Sequence, residues 1–173
     1  MKITIARPED AKELEKLVNA AYRGEESKKG WTTEAEILDG IRIDEQALMQ
    51  MLVKPEVAIL IISDEDAKIL GTVCLEVKSA DLYLGMFAIS PILQGLGYGK
   101  LLLAEAEQYA RANNCSRIVI SVISGRLELI NWYSRHGYVP TGHSIAFEEI
   151  PERFGKPKVE TIRLIEMEKV IDL

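Results

Sequence analysis

The residues with the most chemical content lie in one short run, Gln94-Gly95-Leu96-Gly97-Tyr98-Gly99-Lys100. Three alternate glycines let a chain turn tightly and bring its N–H groups close to a ligand. The apolar rhythm after the run predicts a helix, whose N-terminus offers unpaired N–H donors and the positive end of a dipole. That combination suits phosphate. Two familiar phosphate loops fail on these residues. The dinucleotide fingerprint G-x-G-x-x-G needs glycine at position 100, which is Lys100, and it normally follows the first strand of its unit. The P-loop needs glycine at position 94 and a hydroxyl residue at position 101, where the chain has Gln94 and Leu101.

Proton transfer has other candidates. Between Arg23 and Glu45 the chain carries seven acids (Glu25, Glu26, Glu34, Glu36, Asp39, Asp44, Glu45) against four bases (Arg23, Lys28, Lys29, Arg42), with Trp31 among them. Glu25, Glu26 and Glu34 are candidate bases, although a lone carboxylate is usually a solvated surface group. The two histidines titrate near neutrality. His136 precedes Gly137, where a cation suits a helix C-terminus, and is expected to be structural. His143 falls in a late strand. Cys74 and Cys115 stand far apart in apolar segments. They are expected to be reduced core thiols, because neither a disulfide framework nor a zinc site has that spacing.

These residues need elements to hold them. Met1 to Ala6 alternates with β-branched residues and predicts a strand. Pro8, Glu9 and Asp10 open a helix whose buried face is Ala11, Leu14, Leu17, Val18 and Ala21. A short helix is expected at Thr33 to Leu38 and another at Asp44 to Leu52. Val57 to Ser63, Ile69 to Lys78 and Leu82 to Ile89 predict three strands in an antiparallel meander, since their connections are short. The helix after the glycine run covers about Tyr98 to Asn113. A strand at Ile118 to Val122 and a helix at Leu127 to His136 follow, with Gly137 as the stop. Gly142 to Glu149 and Val159 to Lys169 are expected to close the sheet. The order predicts an α+β fold, or mixed α/β layers.

Composition excludes several classes. The chain has 173 residues, 47% hydrophobic and 28% charged. That is an ordinary globular mixture, expected to form a single domain over residues 1–173. The net charge of −6, without a basic tract, argues against nucleic-acid binding. Charge arrives too early at the N-terminus for a signal peptide. The longest pure apolar run, Val57 to Ile62, is far short of the ~20 residues of a membrane span. A cytoplasmic protein with no membrane partner is expected.

Gln94-Gly95-Leu96-Gly97-Tyr98-Gly99 fits the Q/R-x-x-G-x-G/A pattern and resembles the Gcn5-related N-acetyltransferase (GNAT) superfamily. The resemblance extends to Ile3–Ala11, to Leu84–Pro91, and to the stretch with Arg126, Trp132-Tyr133, Gly137-Tyr138 and Thr141-Gly142. It implies a twisted, mostly antiparallel sheet flanked by helices and splayed after its fourth strand. It also implies an acetyl-CoA site: Phe87, Ala88 and Ile89 pairing with pantetheine, and Gln94 to Lys100 around the pyrophosphate. An extended amide-bearing arm can join a strand edge as another strand would. Many relatives have Arg where this chain has Leu96, which leaves Lys100 or Arg126 to supply charge. Tyr133 matches the tyrosine that assists the departing CoA thiolate. Arg126 replaces a commoner Asn and is expected to contact pantetheine or phosphate. Arg126 and Tyr133, seven apart, share a helix face about 10 Å apart. The implied reaction is direct attack of a primary amine, small-molecule or peptide, on acetyl-CoA in a ternary complex. The acidic excess of the Arg23–Glu45 wall suits a cationic amine. A non-catalytic acyl-CoA-binding domain is the alternative. A monomer or homodimer without a metal is expected.

Overall fold

A computed structural model describes residues 1–150 and 154–172. Strand β1 (Lys2–Ile5) leads through a turn of 3-10 helix at Pro8–Asp10 into α1 (Ala11–Tyr22). Asp10 accepts the Arg7 N–H at 2.8 Å, closing that turn. A single turn, α2 (Gly24–Ser27), and a two-residue strand, β2 (Leu38–Asp39), precede α3 (Glu45–Leu52). Asp44 caps α3 by accepting the Ala47 N–H at 2.7 Å. The meander follows as β3 (Val57–Ser63), β4 (Ile69–Lys78) and β5 (Asp81–Ile89). Then come α4 (Tyr98–Ala112), β6 (Arg117–Ile123), α5 (Leu127–Arg135), β7 (Val139–Ala146), β8 (Lys156–Pro157) and β9 (Arg163–Val170).

Seven strands form one sheet in the order β1-β3-β4-β5-β6-β9-β7, and β2 pairs with β8 apart from it. Both sheet faces are covered. Leu60, Ile62, Leu75, Leu82, Ile118 and Met167 pack under α4 and α5. Ile59, Ile61, Met86 and Ala88 pack under α1 and α3 with Leu14, Val18 and Leu48. The unbroken apolar run of β3 has this cause: its alternate side chains enter two different cores. Cys74 and Cys115 are buried and free. No helix among the described residues is long and apolar enough to cross a membrane.

The sheet opens between β5 and β6. They are parallel neighbours through only three pairs, Asp81 with Arg117, Leu82 with Ile118 and Tyr83 with Val119. Arg117 rivets that end by donating to both Asp81 oxygens, at 2.9 and 2.8 Å, and to Glu168. Beyond Tyr83 the strands part. Thr72 of β4 faces Ala88 while Cys74 faces Gly85, so one β4 residue, Val73, spans two of β5. Such a bulge bends the strand that carries the extra residue. Met86 takes it up with φ 45°, a left-handed conformation uncommon for a side-chain-bearing residue. The β5 edge from Leu84 onward therefore faces a gap. This is the splay expected after the fourth long strand.

Two expectations need correction. No helix forms at Thr33 to Leu38; the segment turns, and Leu38–Asp39 is β2. A six-residue helix gains little against its nucleation cost. Tertiary bonds take its groups instead: the Glu34 N–H donates to the Tyr22 carbonyl at 2.7 Å, and the Ala35 N–H to the Thr33 hydroxyl at 3.0 Å. The second correction is smaller. The first closing strand starts earlier, at Val139, Phe147–Glu149 is a 3-10 turn, and the second closing strand starts later, at Arg163.

Candidate active site

A cavity of about 730 Å³ passes through the gap. Phe87, Leu93, Gly97, Trp132 and Tyr133 line it on the α4/α5 side of the sheet. Tyr22, Ile43, Met51 and Cys74 line it on the α1/α3 side. It is thus lined from both faces of the sheet where β5 and β6 separate. Its size is typical of a small-molecule site.

The glycine run forms the α4-side mouth. Gly95 and Gly97 have φ of 83° and 93°, and Gly97 is the N-cap of α4. Nothing lies within 4 Å of where a Cβ would stand at either glycine, so the backbone is open to a ligand there. The first helical bond of α4 runs from the Leu101 N–H to the Gly97 carbonyl, leaving the N–H groups of the turn before it unpaired. A Cβ on Gly99 would stand 3.5 Å from Trp132. Lys100 lines the cavity, whereas Leu96 is 66% exposed at the loop tip and does not. Tyr98 is half-buried in the lining. The cradle thus fits a pyrophosphate held mainly by backbone.

The strand before the loop has an open edge. Ala88 and Ile89 pair with Thr72 and Gly71 on the β4 side, while their β6 side lacks a strand partner. The Ala88 side chain is buried toward α1. The Phe87 ring meets Trp132 edge-on at 5.9 Å. Gln94 does not face the open loop. Its Nε2 donates to the Ile89 carbonyl at 3.2 Å, and its Oε1 accepts the Thr32 N–H at 3.2 Å. It braces the loop against the segment on the other side of the cavity.

Tyr133 sits on α5, buried, with Trp132 at 5.1 Å and Tyr138 at 5.5 Å between ring centres. Burial raises its phenol well above the ordinary value, Tyr22 and Tyr138 push the same way, and Arg126 opposes. Tyr22, at the end of α1, is also raised, chiefly by burial. Two neutral phenols therefore stand at the gap.

Arg126 is buried. It donates through Nη1 to Glu34 Oε1 at 3.1 Å and through Nη2 to the Thr32 hydroxyl at 2.6 Å. Its Nε has no hydrogen-bond partner and lies 3.6 Å from Glu128 Oε1. The other Glu34 oxygen accepts from Arg23 Nε at 3.1 Å. Arg23 Nη1 bonds the Ile41 and Phe154 carbonyls at 2.5 and 2.8 Å. Glu34 is thus the shared anion of two buried guanidiniums. Glu25 and Glu26 instead reach solvent and pair with Lys28 and Lys29. His136 bonds its Nδ1 to the Trp132 carbonyl at 2.7 Å, as a structural residue would. His143 is exposed on β7 and does not line the cavity.

The sequence model of the acetyltransferase (GNAT) family matches residues 12–138. The chain belongs to that family. It is an enzyme of the N-acetyltransferase kind, and its chemistry is acyl transfer. Solved GNAT structures share its fold at low identity. The ribosomal-protein-S18-alanine N-acetyltransferase from Escherichia coli superposes with a TM-score of 0.74 at 12% identity, over 99% of this chain and 94% of that one. A ribosomal-protein-alanine N-acetyltransferase from Brucella melitensis gives 0.71 at 17% identity, over 99% and 100%. An acetyltransferase of the GNAT family from Streptococcus pneumoniae gives 0.65 at 22% identity, over 99% of each chain. A search of the curated proteins finds no match.

GNAT membership accounts for the splayed sheet and the glycine run. It does not account for Arg23, Tyr22 and Thr32, which the sequence did not single out as site residues, or for Glu34, which it offered only as a candidate base. Tyr22 had a signal: four residues after Val18, it continues the buried stripe of α1. The buried ion pairs had none, because they join residues 11 and 92 positions apart.

Proposed function

We propose that this chain, as a single cytoplasmic domain, transfers an acetyl group from acetyl-CoA to a primary amine by direct attack in a ternary complex. The observation that carries the reading is the cavity through the β5–β6 gap, with the glycine cradle at one mouth and Tyr133 in its wall. Acetyl-CoA supplies the activated acyl group. The N–H groups of Gly95 to Lys100 would hold its pyrophosphate, and the free edge of Phe87, Ala88 and Ile89 its pantetheine arm. Tyr133 donates a hydrogen bond where negative charge develops on sulfur. The attacking amine must be neutral, which costs a Lys-like amine about 4.6 kcal/mol at pH 7. The guanidiniums of the cavity lower that cost, since nearby positive charge disfavours an ammonium. A water held by backbone groups takes the remaining proton, both Glu34 oxygens being already bonded to arginines.

A covalent acetyl-cysteine route is the obvious competitor, because Cys74 lines the cavity. Burial pushes its thiol up to about 12, so the nucleophilic thiolate is scarce near neutrality. Cys74→Ala should keep kcat within about twofold, and initial-rate plots should intersect. Parallel plots with loss of turnover in Cys74→Ala would establish the covalent route.

The donor site has its own test. Gly97→Val places a β-branched residue at φ 93° and fills space open to phosphate. The CoA Kd should rise about tenfold or more. A folded Gly97→Val protein that binds CoA as wild type does would refute the pyrophosphate assignment.

A further inference from the structure

The Arg23–Glu45 stretch is acidic in sequence, but of its seven acids only Glu34 lines the cavity, and Arg23 and Arg126 share its charge. Glu25, Glu26 and Glu36 are exposed, with Lys28 or Lys29 beside them. The charged residues from that stretch that do line it are Arg23, Glu34 and Arg42. Arg23 is spent on Glu34, with Arg126 on the other oxygen. Glu76, also in the lining, pairs with Lys78 at 3.0 Å. Arg42 is different. Its guanidinium lies 5.2 Å over the Tyr22 ring, half-buried, and makes no hydrogen bond or ion pair with any described carboxylate. A guanidinium stacked on an aromatic face keeps its edge donors free for a planar anion. Arg42 is also on the α1/α3 side, opposite the glycine cradle of α4, so a donor phosphate is not its natural partner. Ile43, Phe147, Ile150 and Phe154 supply apolar wall in the same lining.

We infer that the acceptor is a small amine that also carries a carboxylate, an apolar α-amino acid or a close analogue, with its carboxylate on Arg42. This rests on the proposed acetyl transfer and deepens it. The amine would then stand at the gap, and the apolar side chain against Phe147 and Phe154. Three contacts of different character make a site that rejects analogues lacking the acid, because Arg42 is then left without its anion. A plain polyamine would meet like charge there.

The test uses matched pairs: L-leucine with 3-methylbutylamine, L-methionine with 3-(methylthio)propylamine, and L-phenylalanine with phenethylamine. Thiol release from acetyl-CoA is followed in wild type, Arg42→Gln and Arg42→Lys, and CoA binding is titrated in each. In wild type the acid should exceed its decarboxylated partner in kcat/KM by about tenfold to a hundredfold, the range for a charge-assisted bond. Arg42→Gln should abolish that preference with CoA affinity unchanged, mainly through KM. Arg42→Lys should restore part of it. Equal use of both members of a pair overturns the inference. So does a preference that survives Arg42→Gln, or turnover of no pair by a protein that binds acetyl-CoA. Failure to bind acetyl-CoA at all would instead overturn the acetyl-transfer reading beneath it.

Discussion

Tyr133→Phe should lower kcat by at least about tenfold, and by up to about a thousandfold where water cannot take over the role. The substitution removes one oxygen and keeps the ring that packs on Trp132 and Tyr138. CoA affinity should change little, since the hydrogen bond strengthens only as charge appears on sulfur. The raised phenol refines the role. An alkyl thiol titrates at about 8.5 and an ordinary tyrosine at about 10, so complete proton transfer to the thiolate runs uphill. Burial raises Tyr133 further. In the proposed reaction the group therefore acts as a hydrogen-bond donor, its phenol held neutral by burial. The sign follows for pH: kcat/KM should rise with pH as the amine loses its proton, with no falling limb from Tyr133 below pH 10. The Phe variant should show the same profile at lower height. Single-turnover rates across pH, with melting curves, check both points. A stable Phe variant with an unchanged chemical step would remove Tyr133 from the mechanism.

Glu34→Ala should be the most destabilising single change in the site. It leaves the buried guanidiniums of Arg23 and Arg126 without their shared anion. Breaking a buried pair by removing one partner costs about 3–5 kcal/mol. For a domain of this size that is a fall of roughly 6–20 °C in Tm. The damage should spread along named bonds. Arg126 holds the Thr32 hydroxyl, and the Thr32 N–H holds Gln94 at the glycine loop. CoA binding should therefore weaken as well, although Glu34 is not part of the cradle. A Tm within about 2 °C of wild type would show that solvent reaches the cluster and that the two mouths are not coupled.

The parts of the site legible in the sequence are those built from neighbouring residues. The glycine run, the strand before it and the helix after it follow from local spacing, and Tyr133 follows from the family pattern. The gap itself was implied only by resemblance, since the bulge residue is Met86 and nothing in its type announces a positive φ. The charge that the Arg23–Glu45 segment turns toward the cavity was not legible for a similar reason. Counting charges from Arg23 to Glu45 gives an acidic surface, but burial sorts them. Glu25 and Glu26 go to solvent, while Arg23, Glu34 and Arg42 turn inward. Arg126, expected near pantetheine or phosphate, donates one hydrogen bond to Glu34 and one to Thr32. Such pairings cross long sequence separations, and one-dimensional patterns do not encode them.

The most direct measurement of the central claim is acetyl-CoA consumption against a broad panel of primary amines, with free thiol and acetylated product quantified together. At least one amine should release thiol well above the hydrolysis background, with one acetylated amine formed per thiol. Tyr133→Phe should slow that release, while Gly97→Val should weaken donor binding. A protein that binds acetyl-CoA tightly yet releases no thiol above background with any amine would contradict that claim, and would make the chain a holder of acyl-CoA.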